Sequence, residues 1–261
     1  FTPWQMSLPD FPFASGSGKK MKLDWVTTQI IGKAGFISFN LPDRMNPLGE
    51  ETMAQLHDAI VSLNTNEVID RIFILGKGKA FVAGADIKFF IDSIDADDLD
   101  RIQEFTAFGQ QVFSTISSSN KTTYAYLDGL ALGGGFELAL ACDYRIATDK
   151  TVIAFPETGI GIYPGLGGTQ RTARLIGEGA AKYLIATGQF INAQKAHTLG
   201  LVDDVIEPVF TLAQLADYQL ERPQAGMDKD TLAAFDFTGF NGEVSANLFE
   251  QDKYRNVEKS L

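Results

Sequence analysis

The segment that most constrains the fold is a helix-forming stretch that offers its single charge no polar face. Glu137 follows three glycines (133–135), and every residue from 138 to 142 is apolar. Such a helix must be buried, and burying an ionised carboxylate costs several kcal/mol unless it is paired or its pKa is raised. We therefore interpret Glu137 as a poised acid or base. The alternative is a core carboxylate tied to a structural partner, Arg145 or Arg171.

A second glutamate, Glu157, stands 20 residues further on, again among glycines. It lies in the segment 155–171, FPETGIGIYPGLGGTQR. The Gly159-Ile-Gly161 spacing is not a dinucleotide-binding fingerprint, because Pro164 stands where the third glycine belongs. The chain also has no phosphate-binding P-loop and no Gly-x-Ser-x-Gly elbow. The two carboxylates are therefore the best candidates for the chemistry.

Two turns built from small residues form a candidate anion site. Glycines 133–135 open the apolar helix, whose first N–H groups attract a developing negative charge. Upstream, the segment 77–88 (KGKAFVAGADIK) has a small-residue turn at 83–85 and carries three lysines. These lysines suit phosphates at one end of a substrate, and two converging N–H donors make an oxyanion hole. The alternative is that the glycines only make tight turns and the lysines only solvate the surface.

Charge and composition exclude several classes of protein. The net charge of −11 argues against general affinity for nucleic acid or anionic lipid. No apolar run approaches the roughly 18–20 residues of a membrane helix. The single cysteine, Cys142, suits a reducing cytoplasm and is interpreted as a buried small hydrophobe. His57 and His197 lack a Cys or acidic cluster at metal-ligand spacing, so no metal site is expected.

Extended runs alternate with helical patterns along the chain, which predicts an α/β fold. Predicted strands cover 25–31, 36–40, 71–75, 122–127, 144–147, 152–155 and 201–206. Predicted helices cover 50–63, 101–116, 134–142, 170–176, 180–186 and 193–199. The aspartate-rich stretch 92–100 predicts a solvated loop. Three regions follow: a linker or tail over 1–20, a catalytic core over 21–208, and an irregular helical appendage over 209–261.

Three segments together resemble the crotonase superfamily, the enoyl-CoA hydratases and isomerases. They are KAFVAGADIKFF at 79–90, DGLALGGGFELALACDYRIA at 128–147 and the glycine-rich segment at 155–171. The resemblance extends over about residues 22–208. It implies a spiral of repeated β-β-α units, with the C-terminal helical appendage beyond it, that assembles as trimers or dimers of trimers.

The resemblance also implies roles for individual residues. The backbone N–H groups of Ala85 and Gly134 would hold a thioester oxygen, and Gly165 would help to place the reacting water. The coenzyme A site would be lined by four residues of the segment 77–88, namely Lys79, Ala83, Asp86 and Lys88. The hydratase subgroup has a glutamate at both carboxylate positions, here Glu137 and Glu157, whereas the isomerases commonly lack one. The pair therefore favours hydration.

We predict from these residues an enoyl-CoA hydratase of fatty-acid β-oxidation, which adds water reversibly across the 2,3 double bond of an enoyl-CoA thioester. Glu137 is favoured as the base that activates water and Glu157 as the acid that protonates C2, with the reversed or shared assignment left open. No metal or redox cofactor is expected. The alternatives are an isomerase that shifts the double bond, and a non-catalytic acyl-CoA-binding domain of a multifunctional protein.

Both ends of the chain predict a piece of a larger protein. The chain begins with Phe1, its leader is rich in Pro, Gly and Ser, and the closing helices of the family are not recognisable in 209–261. Phe136 also departs from the small residue that the family often has beside the first glutamate. We expect the chain to associate with itself or with a companion domain. The family resemblance implies a 3-hydroxyacyl-CoA dehydrogenase as the companion, whose substrate hydration would make.

Overall fold

Two strands followed by a helix recur along the computed structural model, which describes residues 24–209 and 211–220. The predicted linker 1–20 and most of the predicted appendage 209–261 lie outside the described residues. The strands are β1 Val26–Ile31, β2 Ala34–Phe39, β3 Arg71–Gly76, β4 Ala80–Ala83, β5 Thr122–Leu127, β6 Leu130–Leu132, β7 Tyr144–Thr148, β8 Val152–Ala154, β9 Ile191–Asn192 and β10 Asp204–Ile206. The α-helices are α1 Glu50–Asn64, α2 Ile87–Asp95, α3 Leu99–Ser117, α4 Gly134–Ala141, α5 Gly168–Ile176, α6 Glu178–Thr187, α7 Ala193–Thr198 and α8 Leu212–Ala216.

The strands form two separate sheets, and successive strands of the chain are added to one sheet and then to the other. One has the order β1-β2-β3-β5-β7-β10 and is parallel apart from the β1–β2 hairpin. The other has the order β4-β6-β8-β9 and is parallel apart from β8–β9. From β3 to α6, each repeat adds one strand to the first sheet, one to the second, and then one or two α-helices; after α6, β9 joins the second sheet and β10 joins the first, with α7 between them. This confirms the predicted α/β spiral of β-β-α units.

Burial on both faces explains why the central strands of the first sheet are so apolar. All six residues of β2 are buried. One face of the sheet packs into the main core, which includes Ile37 and Ile74 and the apolar sides of α1 and α3. The opposite face packs a second cluster, which includes Phe36, Phe73 and Leu215 of α8. A parallel strand that is covered on both faces has no side facing solvent, so apolar and polar residues do not alternate along it.

The glycine-led helix α4 lies inside the molecule, as its sequence predicts. Every residue from Gly134 to Ala141 is buried. The helix follows β6 after a single residue, Gly133, and packs against α3, α5 and β4. This direct strand-to-helix passage points the first turn of α4 towards the end of β4, where the second small-residue turn begins.

The region around residues 80–100 differs from the prediction. The stretch 92–100 is not a single loop, because α2 runs to Asp95 and α3 begins at Leu99. Helix α3 was predicted over 101–116, but α2 was missed; its N-cap is Asp86, which accepts a hydrogen bond from the Lys88 amide at 3.2 Å. Strands β4, β6 and β9 were also missed, since two to four residues show no periodicity. None of the helices in the described parts of the chain is long and apolar enough to span a membrane.

Candidate active site

The entry into α4 places a backbone donor where an anion can approach. Gly133 has a left-handed φ of 49°, and its amide donates to the Ala154 carbonyl at 2.9 Å. Gly134 is the first residue of the helix, so its N–H has no intrahelical acceptor. The partial positive charge of the helix N-terminus adds to the attraction of that N–H group for an anion.

The turn after β4 brings a second amide to the same point. Ala85 pairs with Leu48 in an isolated parallel bridge. In that bridge the Leu48 amide donates to the Gly84 carbonyl at 2.9 Å and the Asp86 amide donates to the Leu48 carbonyl at 2.8 Å. The Ala85 N–H therefore points away from Leu48. A Cβ atom built on Gly134 would lie 3.9 Å from the Ala85 nitrogen, so the structure brings the two predicted oxyanion donors together.

Glu137, in the first turn of α4, is 1% exposed, as the sequence predicts. Its Oε1 accepts hydrogen bonds from the amides of Leu166 at 2.8 Å and Gly168 at 2.7 Å. Burial raises the pKa of Glu137 to about 7, against the opposing effects of these amides and of the Arg171 charge. The alternative ion pair with Arg145 is absent, because that guanidinium binds Asp203 at 2.8 Å.

Glu157 is partly buried in the 3-10 turn Pro156–Ile160. Its Oε2 is buried and has no hydrogen-bond partner among the described residues. Burial raises its pKa to about 7; its own backbone amide lowers the pKa, and the nearby Glu137 carboxyl raises it. A Cβ on Gly133 would meet Glu157 Oε1 at 2.6 Å. The carboxyl group therefore lies against the N-terminus of α4, close enough to Glu137 for their charges to interact.

Gly165 is exposed in the loop that leads from Glu157 to α5. The Gln110 side chain of α3 donates to its carbonyl at 2.7 Å through Nε2. The next residue, Leu166, donates to Glu137. The structure thus places Gly165 beside the loop that holds the first carboxyl group.

The residues predicted to bind coenzyme A are spread along the approach to α2. Ala83 ends β4, and its amide donates to the Met45 carbonyl at 3.0 Å. Asp86 caps α2 and forms an ion pair with Arg44 at 2.7 Å. Lys88 is exposed and forms an ion pair with Asp92 at 2.6 Å. Lys79 is exposed just before β4, and its carbonyl accepts a hydrogen bond from the Leu130 amide at 3.2 Å.

Two contributors to the site were missed from the sequence. Asn46 is fully buried with a left-handed φ of 53°. Its Nδ2 donates to the carbonyls of Lys77 at 3.0 Å and Ala80 at 2.8 Å, which ties the loop before α1 to β4. Arg44 lies 42 residues from its partner Asp86. No local spacing signals either contact; a positive φ at a non-glycine residue appears only in the fold.

The single cysteine is a buried small side chain, as the sequence suggests. Cys142 is buried, and burial raises its pKa to about 12, so it is no thiolate nucleophile. Within residues 24–209 and 211–220, no group of three or more His, Cys, Asp and Glu side chains is arranged to hold a metal ion.

Comparison with known proteins assigns the chain to a family. The family model described as "Enoyl-CoA hydratase/isomerase" matches residues 34–236. The chain therefore belongs to the enoyl-CoA hydratase/isomerase family, which confirms the predicted crotonase resemblance.

Individual relatives in this family carry the name of a hydratase. The chain is 43% identical over 179 residues to the crotonyl-CoA hydratase of Syntrophomonas wolfei. The match covers 67% of this chain and 66% of that protein, just under two thirds of its length. The chain is 38% identical over 191 residues to the short-chain-enoyl-CoA hydratase of Clostridium acetobutylicum, covering 72% and 71%. The solved enoyl-CoA hydratase of Thermoplasma volcanium superposes with a TM-score of 0.69 at 32% identity, covering 91% of this chain and 92% of that one.

Proposed function

We propose that this chain is an enoyl-CoA hydratase, a hydro-lyase that adds water reversibly across the 2,3 double bond of a short-chain enoyl-CoA thioester. The observation that carries the proposal is a pair of carboxyl groups, Glu137 buried and Glu157 partly buried, both with a pKa of about 7, beside the neighbouring amides of Ala85 and Gly134. The hydratase names of the relatives from Syntrophomonas and Clostridium support the same reaction.

The environments of the two carboxyl groups support different protonation states. Two amides and the Arg171 charge favour the ionised form of Glu137. The Glu137 charge and a buried, unpartnered Oε2 favour the protonated form of Glu157. Because the groups interact, the pair titrates as a unit, and the proposed reaction uses the state in which the two carboxyl groups share one proton. In that state Glu137 is the base and Glu157 is the acid.

The reaction follows from this assignment. Glu137 takes a proton from water, the water oxygen bonds to C3, and the electron pair of the double bond moves towards the thioester carbonyl. The amides of Ala85 and Gly134 stabilise the resulting negative charge on the thioester oxygen. Glu157 gives a proton to C2, so the pair keeps its total number of protons. Gly165 helps to place the water. Hydration transfers no electrons to or from another molecule, so the reaction needs no redox cofactor.

The direct test is turnover of crotonyl-CoA, followed as the loss of absorbance of the conjugated thioester and as formation of 3-hydroxybutyryl-CoA by mass spectrometry. A hydratase adds the mass of one water. An isomerase acting on a 3-enoyl-CoA would change the absorbance with no change in mass. Binding of crotonyl-CoA without turnover would instead support the acyl-CoA-binding alternative and contradict the proposal.

Charges near α2 support a site for the phosphates of coenzyme A. Replacing Lys88 by Ala should raise the KM for crotonyl-CoA and leave kcat nearly unchanged, because the contact is equal in ground and transition states. Lys88 is exposed and paired with Asp92, so we expect an increase of about fivefold at most, the equivalent of about 0.2–1 kcal/mol.

Lys182 provides a matched control for this measurement. It is exposed on α6 and forms an i,i+4 ion pair with Glu178, as Lys88 does with Asp92. Lys182→Ala should leave KM unchanged, and added salt should raise the wild-type KM more than that of Lys88→Ala. Equal KM values for the wild type and Lys88→Ala would contradict phosphate binding by Lys88 and would favour Lys77 or Lys79 as the phosphate-binding residue.

We further propose that the chain self-associates, as a trimer or a dimer of trimers, and works in the cytoplasm. Three isoleucines on α2, Ile87, Ile91 and Ile94, are each more than half exposed, which supports a contact surface. The product would be a substrate for a 3-hydroxyacyl-CoA dehydrogenase, which is the proposed companion activity. Sedimentation equilibrium measures the oligomeric state, and a monomer at all concentrations would contradict self-association.

A further inference from the structure

The loop from Leu166 to Gly168 lies between Glu137 and a partly buried arginine, Arg171. On one side, the amides of Leu166 and Gly168 donate to Glu137 Oε1 at 2.8 and 2.7 Å. On the other side, Arg171 Nη1 donates to the Leu166 carbonyl at 2.8 Å. Leu166 thus contacts the carboxylate through its N–H group and the guanidinium through its C=O group.

Gly167 allows this arrangement. Its φ is 101°, which side chains rarely adopt, and a Cβ at this position would lie 2.2 Å from Arg171 Nη1. The guanidinium therefore occupies the space that a side chain would need. Arg171 turns back from α5 onto the loop that precedes its own helix, and it remains partly buried there.

We propose that Arg171 is a positioning residue for the hydration reaction: it holds the Leu166–Gly168 loop so that two amides meet Glu137, and it sets a positive charge beside that carboxylate. This inference rests on the proposed function, because it assigns to Glu137 the role of a base. Arg171 acts through the loop and through its charge, and no role in contacting the substrate is assigned to it.

The charges around Glu137 agree with this role. Burial raises the pKa of Glu137, and the Arg171 charge opposes this shift; burial lowers the pKa of Arg171, and the Glu137 charge opposes that shift. Two titratable groups on packed elements also interact with this pair: Glu157, in the turn Pro156–Ile160, interacts with Glu137, and the Cys142 thiol, at the end of α4, raises the pKa of Arg171. Arg174 lies on the exposed side of α5 and acts on Arg171. Removal of Arg171 therefore raises the pKa of Glu137 and leaves less of it ionised at acidic and neutral pH.

The test compares Arg171→Met with Arg174→Met, the same substitution three residues along the same helix. Loss of this positive charge should raise the pKa of Glu137, so Arg171→Met should reduce kcat/KM for crotonyl-CoA by about threefold or more at pH 6. At pH 9, where Glu137 is ionised in both proteins, the loss should shrink to about twofold or less. The acidic limb of the profile thus moves to higher pH. Arg174→Met should keep the wild-type profile, and Arg171→Lys should restore most of it.

A second measurement separates this inference from the proposed function. The Glu137 carboxyl group is titrated by ¹³C NMR in protein labelled at the glutamate side-chain carbons, with the resonance assigned by its loss in Glu137→Gln. The midpoint should be higher in Arg171→Met than in the wild type, whether or not the protein hydrates crotonyl-CoA. Failure of the wild type to turn over crotonyl-CoA contradicts the function alone.

Two results would overturn the role of Arg171. One is an unchanged midpoint and an unchanged acidic limb in folded Arg171→Met, as judged by circular dichroism. The other is an equal shift in Arg174→Met, since this would reflect only the loss of any positive charge on α5. If Arg171→Met does not fold, Arg171→Gln, which keeps a side-chain donor but loses the charge, serves for the same comparison.

Discussion

Glu137→Gln and Glu157→Gln should each lower kcat for hydration of crotonyl-CoA by about 10²–10⁴-fold, the usual contribution of a positioned acid or base. Glutamine keeps the volume of glutamate and its acceptor oxygen, so the amides of Leu166 and Gly168 retain a partner in the first variant. It cannot exchange a proton, so the chemical step alone is lost. Steady-state kinetics at pH 7 measures the effect.

Glu178→Gln is the matched control, because Glu178 is an exposed glutamate on α6. Among the described residues, Glu178 forms an ion pair with Lys182, at 3.2 Å, and with no other cation. It should keep wild-type turnover. Near-wild-type activity in either Glu137→Gln or Glu157→Gln would remove that residue from the mechanism. Equal losses in all three would indicate a general effect of the substitution.

Stability measurements distinguish a catalytic loss from a folding loss in Glu137→Gln. Burial raises the folded-state pKa of Glu137 from 4.5 to about 7. A raised carboxyl pKa contributes stability below pH 4.5, and this contribution is lost as the pH rises through 7. Glutamine never ionises, so between pH 5 and pH 8 the variant should gain about 2 kcal/mol in free energy of unfolding relative to the wild type. Urea titrations at the two pH values test this sign.

Gly135→Ala should prevent folding or lower the free energy of unfolding by about 3 kcal/mol or more. A Cβ at this position would lie 2.0 Å from the Val82 carbonyl oxygen and 2.7 Å from its carbonyl carbon. These are backbone atoms of β4, and Val82 is held in register with Ala131 of β6. Neither strand can move away without disturbing the second sheet, so the clash cannot be relieved by a side-chain rotation.

Gly179→Ala makes the same change at the same position of another helix. Gly135 is the second residue of α4 and Gly179 is the second residue of α6, but a Cβ on Gly179 would meet nothing within 4 Å. Alanine there should be neutral or stabilise by up to about 1 kcal/mol, because it restricts the unfolded chain. Equal urea midpoints for the two variants would show that α4 does not approach β4 as closely as described.

Local patterns predicted the elements that are long or strongly apolar. The β1–β2 hairpin, helix α1 and the buried helix α4 all lie within a few residues of their predicted bounds. The short strands β4 and β6 were missed, because four and three residues cannot display a period. Helix α2 was hidden by its exposed aspartates, which a sequence alone cannot distinguish from a loop.

The burial of Glu137 follows from its local sequence, because the helix around it has no polar face, and the motifs at 79–90, 128–147 and 155–171 identify the family. The groups that surround the two carboxyl groups depend on how the chain folds. The Ala85 amide meets Gly134 through β4 and α4, and Arg171 meets the loop at Leu166 through a left-handed glycine. These contacts join segments that are separated in sequence or depend on backbone angles, so no spacing along the chain encodes them. They arise when the two sheets set the ends of their strands side by side.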